Sequence, residues 1–202
     1  MQDTDCFPLF LIVMAIVVTG EPMVDELLST DPLALLIGML LDQQVPMEWA
    51  FKGPYRLRER LGGLDAAAIA GMDAAELEAV FRQKPALHRY PGAMAKRVHA
   101  LCEHLVKHQE GEAARVWTDA RTGEELLARV EALPGYGQQK ARIFVALLAK
   151  RLGVRPPGWE KAAGPFSDAT PRSVADIDSP EALQFVREWK RAQKAKGRNK
   201  TD

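Results

Sequence analysis

Helix-start signals recur along this chain, and they constrain its fold more than any other feature. Proline stands repeatedly where a helix would begin, mostly after a residue that suits a cap or a turn. These prolines are Pro22, Pro32, Pro46, Pro91 and Pro180. The alternation of apolar and polar residues that is typical of a strand is weak and occurs only near residues 11–18. We therefore predict an all-α fold.

The length of 202 residues is sufficient for one domain with a sizeable core. We expect residues 21–190 to form this domain. Residues 1–20 would be an apolar arm, or in part an extension upstream of a true start at Met14. Their apolar run is too short to span a membrane and lacks the basic residues of a signal peptide. We expect the basic stretch 191–202 to be a disordered tail.

Charge and cysteine content exclude several classes of protein. The formal net charge is zero, so any surface for nucleic acid must be local. Cys6 and Cys102 are the only cysteines, which excludes a disulfide framework and a four-cysteine iron–sulfur cluster. Two isolated thiols are typical of a reducing compartment, so we expect the protein to be cytoplasmic. We expect no cofactor and, since nothing demands an oligomer, a monomer.

The stretch LPGYGQQK, residues 133–140, interrupts two helical patterns with two glycines. Gly135 and Gly137 allow positive φ and leave backbone amides uncovered by Cβ atoms. The following helix begins at or just after Gly137, and its dipole favours an anion there. A DNA phosphate would suit this site. The alternative interpretation is an ordinary turn between two helices.

Three segments, taken together, resemble the helix-hairpin-helix (HhH-GPD) superfamily of base-excision DNA glycosylases. LLARVEALPGYGQQKARIFVALL resembles its hairpin, here about residues 125–152. DPLALLIGMLLDQQVPMEWAF is similar to its buried helix with a Gln-rich end, and LHRYPGAMAKRVHALCEHLV to the segment between them. The segments follow the family's order over roughly residues 31–152. The resemblance implies a two-lobed helical bundle with one helix-hairpin-helix, which binds double-stranded DNA and no membrane.

The resemblance also implies how DNA would be held. The hairpin would anchor a phosphate, and a glutamine after the buried helix would fill the space that a flipped base leaves. The residues that we assign to DNA contact are Gln43, Gln44, Arg89, Lys96, Gly135, Tyr136, Gly137, Gln138, Gln139 and Lys140. In this family a monovalent cation often bridges the hairpin carbonyls to the phosphate, and we expect no other metal. Each polar residue has an alternative place on a solvated helix face.

The sequence departs from the family at its catalytic positions. Gln139 stands where bifunctional members carry a nucleophilic lysine, and Lys140 lies about 100° away around a helix. A lyase reaction is therefore not predicted. The family's aspartate has no counterpart near Arg155, Pro156 and Pro157. The candidates for the missing carboxylate are Asp168, Glu160 and Asp42. Each would otherwise be an ordinary loop or helix-end carboxylate.

Further expectations concern aromatic and core residues. We place Trp49 and Phe51 in the core, and the rings of Tyr90, Tyr136, Trp159 and Phe166 beside turns, where one could meet a flipped base. His104 and His108 share a helix face and are interpreted as a surface pair rather than as metal ligands. The predicted core comprises Leu35, Leu36, Met39, Leu40, Val98, Leu101, Leu126, Leu127, Val130, Ile143, Phe144 and Leu147.

These observations predict base-excision DNA repair by a monofunctional DNA glycosylase, which hydrolytically releases a damaged or mismatched base. A catalytically inactive helix-hairpin-helix protein that binds DNA or senses damage is the alternative. A helical interaction module, in which GYG is only a turn, is a lesser one. The sequence does not specify which base is recognised.

Overall fold

The computed structural model describes residues 16–195 and 197, and the first 15 residues of the expected apolar arm lie outside this range. In the described part the chain is helical, without strands, which confirms the all-α prediction. The helices are α1 (Pro22–Thr30), α2 (Pro32–Leu41), α3 (Met47–Leu61), α4 (Ala66–Ala70), α5 (Ala74–Arg82), α6 (Pro91–Gln109), α7 (Arg115–Thr118), α8 (Gly123–Glu131), α9 (Gln138–Arg151), α10 (Trp159–Ala163) and α11 (Pro180–Ala195). Two 3-10 turns, Gly164–Phe166 and Val174–Asp176, lie between α10 and α11.

Local side-chain caps account for several of these helix starts. The Asp31 carboxylate accepts the amides of Leu33 and Ala34, which would otherwise lack acceptors at the start of α2. At the start of α8, the Thr122 hydroxyl accepts the amide of Glu125 at 3.1 Å. Because such caps satisfy the first amides of a helix, they fix its first residue independently of tertiary packing.

The helix α2 is the centre of the molecule. Every residue from Leu33 to Leu41 is buried, because the helix is apolar on all sides. One lobe, α3 to α6, packs on it through α3 and α6. The second lobe contains α8 to α10 and the 3-10 turns, and it meets α2 through the hairpin loop 132–137. The Tyr136 hydroxyl donates to the Leu36 carbonyl at 2.7 Å across this junction.

The predicted core is buried apart from Leu127, which is partly buried against it. Phe51 is buried as expected, but Trp49 is 37% exposed, and its assignment to the core is wrong. Met47, Ala50, Phe51 and Pro54 are the buried residues at helical spacing on this part of α3. Trp49 falls outside that stripe, so it faces away from the core.

Two observations concern the ends of the chain and the membrane. The helix α11 extends to Ala195, five residues into the segment for which we expected a disordered tail, and residues 196 and 198–202 lie outside the described part. Ile16 and Val18, at the end of the expected arm, are buried. Within the described residues, no helix is both long enough and apolar enough to cross a bilayer.

The hairpin glycines differ in what they require, which leads to a first prediction. Gly135 has φ +84°, and a Cβ there would clash with Leu40 Cδ1. Gly137 has φ −80°, and a Cβ there would meet nothing within 4 Å. Gly135→Ala should therefore lower the free energy of unfolding by at least about 2 kcal/mol. Gly137→Ala should change it by less than about 1 kcal/mol. Urea denaturation of both variants measures this, and equal losses would contradict the assignment.

Candidate nucleic-acid interface

The amino end of α9 is open to solvent and has no side-chain cap. Its N-cap is Gly137, which carries no side chain, whereas α2 is capped by Asp31. The amides of Gly137, Gln138 and Gln139 donate to no acceptor in the described part of the chain. All three residues are exposed. Unpaired amides at the positive end of a helix dipole are the chemistry that binds an anion.

Tyr136 lies between the two glycines but does not belong to this exposed surface. Its side chain is 4% exposed, and its ring packs edge-on against Phe144 with centroids 5.8 Å apart. Burial raises the pKa of its hydroxyl well above the ordinary value, so the group stays a neutral donor to Leu36. Its amide is bonded to the Leu133 carbonyl at 3.0 Å. The contribution of Tyr136 is therefore to fix the loop against α2.

Lys140 connects the hairpin to the end of α2. Its ammonium group donates to the carbonyl oxygens of Met39, Leu40 and Asp42, at 2.6, 3.2 and 3.3 Å. The last carbonyls of a helix lack intrahelical donors, so this ammonium caps α2 from a distant helix. Gln139, one residue earlier, is exposed. The two side chains thus point in different directions, as their spacing on a helix requires.

A turn of five residues, Asp42 to Pro46, follows α2 and is called the 42–46 turn below. His88, which is 1% exposed, donates from Nε2 to the Gln43 carbonyl at 3.0 Å. Its Nδ1 accepts the amide of Tyr90 at 3.1 Å, which assigns the proton to Nε2. Burial lowers the pKa of His88 below its ordinary value of 6.5, so the ring is neutral and serves as a structural clamp.

The two glutamines of the 42–46 turn have different environments. The Gln43 amide nitrogen donates to the Leu40 carbonyl at 2.7 Å, and its side-chain oxygen accepts a hydrogen bond from Arg97. Gln44 is exposed and has φ +57°, a conformation that costs a residue with a side chain about 1–2 kcal/mol. The turn therefore holds Gln43 in place and projects Gln44 outward.

A groove of about 580 Å³ separates the 42–46 turn from α11 and is called the α11 groove. One wall is formed by the turn and the start of α3, the other by basic residues of α11. Its polar and charged lining residues are Asp42, Gln44, Glu48, Arg187, Lys190 and Arg191. The basic residues were not singled out from the sequence, although they recur at helical spacing after the Ser179-Pro180 start signal.

The remaining basic candidates are Arg89 and Lys96. Arg89 stacks over the ring of Tyr90, with its guanidinium carbon 4.9 Å from the ring centroid. Tyr90 is 43% exposed, so one face of this pair meets solvent. Lys96 is exposed, one turn into α6. Arg89 and Tyr90 follow His88, which is bonded to the Gln43 carbonyl, so they place a cation and an exposed aromatic ring near the 42–46 turn.

Basic residues at the far end of α9 are engaged within the protein. Lys150 pairs with Asp176 at 2.6 Å, and Arg151 with Asp178 at 3.1 Å. Arg155 donates to the Ala149 carbonyl at 2.9 Å. The amino end of α9 differs, because the backbone amides of residues 137–139 are exposed there at the positive end of the helix dipole.

The three candidate carboxylates lie at different distances from the hairpin loop. Asp168 accepts from Arg172 at 2.7 Å and from the Thr170 amide at 2.8 Å. Its carbonyl oxygen accepts a hydrogen bond from Lys150. At a rise of 1.5 Å per residue, Lys150 lies about 18 Å along α9 from Gln138, the residue at the hairpin loop. Glu160 is in α10, whose first residue lies against the start of α8. The length of α8, about 12 Å, separates this contact from the hairpin loop.

Asp42 is the candidate nearest the hairpin loop. Its carbonyl oxygen is bonded to Lys140, three residues after Gly137, and its side chain lines the α11 groove beside Gln44. The carboxylate has no hydrogen-bond or ion-pair partner among the residues that the structure describes. The structure thus brings together the open end of α9, a carboxylate and an exposed glutamine.

Metal-binding chemistry is limited in the described part of the chain. No group of three or more His, Cys, Asp or Glu side chains could hold a metal ion there. His104 and His108 stack on each other at 4.5 Å between ring centroids. Cys102 is buried in α6, and burial raises the pKa of its thiol to about 12, so it packs as a neutral apolar group.

The hairpin loop also contains acceptors for the monovalent cation that the family resemblance implied. The carbonyl oxygens of Pro134, Gly135 and Tyr136 accept no backbone hydrogen bond from described residues. Backbone carbonyls of this kind replace the hydration shell of a monovalent cation. The residues therefore fit such an ion, whose presence stays a prediction.

A comparison with known protein families identifies a match over most of the chain. The HhH-GPD family, described as a superfamily of base excision DNA repair proteins, matches residues 37–200. The matched range includes the 42–46 turn, the hairpin and α11. No curated protein and no solved structure matches the chain.

The Lys140 contacts lead to a second prediction. Lys140→Met keeps the apolar stem but removes the donor to three carbonyls, so it should lower the free energy of unfolding by about 1–3 kcal/mol. Gln139→Met is the matched control, because this neighbour is exposed. Chemical denaturation measures both. Equal stability of the two variants would show that the ammonium does not support the end of α2.

Proposed function

We propose that this chain, which belongs to the HhH-GPD superfamily of base excision DNA repair proteins, is a monofunctional DNA glycosylase. It flips a damaged or mismatched base out of duplex DNA and hydrolyses the bond between base and sugar. The observation that carries the proposal is the position of Asp42. This carboxylate lies in a groove, and Lys140 ties its backbone to the first turn of α9.

The hairpin serves as the anchor for the DNA backbone. A phosphate oxygen accepts the amides of Gly137, Gln138 and Gln139, which have no acceptor within the described chain. Because a Cβ at Gly137 would meet no atom of the described residues within 4 Å, and its φ is negative, neither packing nor φ explains a glycine there. Close approach of a phosphate does explain it. Such a contact positions the protein without reading the sequence.

Gln44 serves as the residue that enters the space left by the flipped base. It is exposed, and the turn holds it at φ +57° although that conformation is unfavourable. Its amide can donate and accept, as an unpaired base on the opposite strand requires. Gln43 is less suited, because both ends of its side chain already have partners.

Asp42 supplies the negative charge for the reaction. When the bond to the base breaks, the sugar develops oxocarbenium character, and a nearby carboxylate stabilises this charge or activates water. Water is the acceptor of the sugar, because neither residue 139 nor residue 140 offers an amine for the attack. Gln139 occupies the position of the family's lysine, and the three hydrogens of the Lys140 ammonium are matched by three carbonyls.

One observation favours a second function, that of a non-catalytic protein that binds DNA or senses damage. Where the family carries its aspartate, this chain has Pro156 and Pro157, and the Pro157 carbonyl accepts the Gly123 amide at 2.8 Å. That segment therefore has a structural role. The two functions share the hairpin anchor and differ in whether Asp42 acts on the sugar.

The anchor is tested by a third prediction. Gly137→Ala should weaken binding to an undamaged duplex by about tenfold, because its methyl group displaces the phosphate from the amides. Fluorescence anisotropy at two salt concentrations measures the affinity and its ionic component.

The matched control for this variant is Gly63→Ala. Gly63 likewise has no atom within 4 Å of an added Cβ, and it lies outside the hairpin. Unchanged binding by Gly137→Ala, or no salt-dependent binding by the wild type, would exclude the anchor.

The reaction is tested by a fourth prediction. Asp42→Asn should lower single-turnover base release at least about 100-fold while duplex affinity is retained, since the charge is removed and the shape is kept. A panel of lesion duplexes, analysed for the released base, provides the measurement. The controls are Asp168→Asn and Glu160→Gln.

Three results of this experiment are informative. Loss of release in Asp42→Asn alone supports the assignment. Loss in a control instead moves the catalytic carboxylate to that residue. Absence of release from every lesion by the wild type, with hairpin-dependent binding intact, favours the non-catalytic function.

A further inference from the structure

Trp49 lines a second groove, which adjoins the α11 groove and is called the Trp49 groove. Its volume is about 590 Å³, and it follows α3 away from the 42–46 turn. Pro46, Glu48 and Arg187 line both grooves. The two grooves are therefore continuous, so a DNA strand at the 42–46 turn can extend into the Trp49 groove.

Three side chains of α3 form one face of this groove. Trp49, Lys52 and Arg56 are three and four residues apart, so they lie on the same side of the helix. At a rise of 1.5 Å per residue, Trp49 and Arg56 are about 10 Å apart along the helix axis. The Trp49 side chain is 37% exposed. This face therefore presents an accessible aromatic ring and a guanidinium group in one line.

The charges that line the Trp49 groove are unequally paired. Lys52 forms an ion pair with Glu21 at 2.6 Å. Arg187 forms an ion pair with Glu48, which lies on the same groove. Arg56 has no hydrogen-bond or ion-pair partner among the described residues. In the described part of the chain, Arg56 is therefore the lining residue whose charge is not offset by a carboxylate at ion-pair distance.

A second guanidinium group close to Arg56 increases the positive potential. Arg60, one turn later on α3, donates to the carbonyl oxygens of Val80 and Pro85 at 2.6 and 2.7 Å. Burial lowers the pKa of Arg60 below its ordinary value, and the charge of Arg56 lowers it further, while Glu59 raises it. Arginine stays charged despite such shifts. Since the two carbonyls hold Arg60 in place, an anion at Arg56 would relieve the repulsion between the two cations.

An exposed indole in line with an unpaired guanidinium matches the two parts of an unpaired nucleotide. Every base has a π-face that can stack on an aromatic ring, and every phosphate accepts hydrogen bonds from a cation. Inside a duplex the faces of a base are covered by its neighbours in the stack. An aromatic ring therefore gains its full stacking contact only where a strand is unpaired. The chemistry of the groove thus favours single-stranded DNA over a duplex.

We propose that the Trp49 groove binds an unpaired DNA strand that continues from the duplex held by the hairpin. A base of this strand stacks on Trp49, and Arg56 donates to one of its phosphates. The protein therefore prefers DNA in which single and double strands meet, as at a gap, a flap or a bubble. This inference rests on the proposed contact of the hairpin with DNA, and it does not depend on base release.

The experiment uses the full chain and fluorescein-labelled probes. These are a blunt duplex, the same duplex with a single-stranded extension of about eight thymidines at a 3′ or a 5′ end, and the extension alone. Fluorescence anisotropy measures the affinity for each probe. The tail preference is the ratio of the affinities for the extended and the blunt duplex. We expect a tail preference of at least about fivefold in the wild type, for one polarity or both.

Trp49→Ala and Arg56→Met remove the ring and the charge separately, and each should reduce the tail preference at least about threefold. Both should retain the affinity for the blunt duplex, which also shows that they are folded. Trp49→Phe keeps a stacking ring and should retain most of the preference. The matched controls are Phe185→Ala and Arg58→Met, which remove an exposed ring and an exposed guanidinium that do not line the groove.

The possible results separate this inference from the proposed function. Equal affinity of the wild type for the extended and the blunt duplexes overturns the inference and leaves the hairpin anchor standing. A tail preference that is unchanged in both Trp49→Ala and Arg56→Met also overturns it, and a reduction in one variant alone overturns the role of the other residue. Binding of the extension without binding of the blunt duplex supports the groove and overturns the anchor. Absence of binding to every probe overturns both.

Discussion

The ammonium group of Lys140 is the contact on which the arrangement of the site depends. It joins the first turn of α9 to the carbonyl end of α2, across roughly a hundred residues of sequence. The Tyr136 hydroxyl adds a second bond to α2 from the hairpin loop. Both contacts end on backbone carbonyls of a buried helix, which cannot move without disturbing the core. The hairpin and the 42–46 turn are therefore held in a fixed relation to each other.

Rigid support and exposure alternate along the 42–46 turn. The neutral ring of His88 holds the backbone of Gln43, and Arg97 holds its side chain. The next residue, Gln44, has an exposed side chain and an unfavourable backbone conformation. An unfavourable φ persists only where the surroundings impose it. The bonds to Gln43 and Asp42 provide this restraint. In the proposed role Gln44 enters DNA, and this restraint reduces the conformational entropy that it loses on binding.

Signals within a few residues of each other made many helix starts predictable. The arrangement of the helices depends on contacts between residues far apart in sequence, and it was not predictable. Asp31 and Thr122 cap helices through residues two or three positions away, so the sequence alone indicates those starts. The partners of Lys140 could not be anticipated, because a lysine at a helix start is typical of a solvated surface. Arg191 fell in the segment for which we expected a disordered tail. A run of basic residues does not show that a helix continues through it, or that this helix packs beside the 42–46 turn. The open amides at the hairpin glycines and the turn that carries the two glutamines follow from the local sequence, but the contacts that position them do not.

Lys140 is bonded to the backbone of Asp42 as well as to the end of α2. The stability of this helix end and the position of the candidate catalytic carboxylate therefore depend on the same lysine. The Lys140 ammonium is bonded to the carbonyls at the end of α2, where the helix dipole is negative, so it offsets the dipole at the backbone of Asp42. A lysine that attacked the sugar would have to leave these carbonyls, and the end of α2 would lose its donor. In the function proposed for this chain, the ammonium holds the site together, and Asp42 and water carry out the reaction.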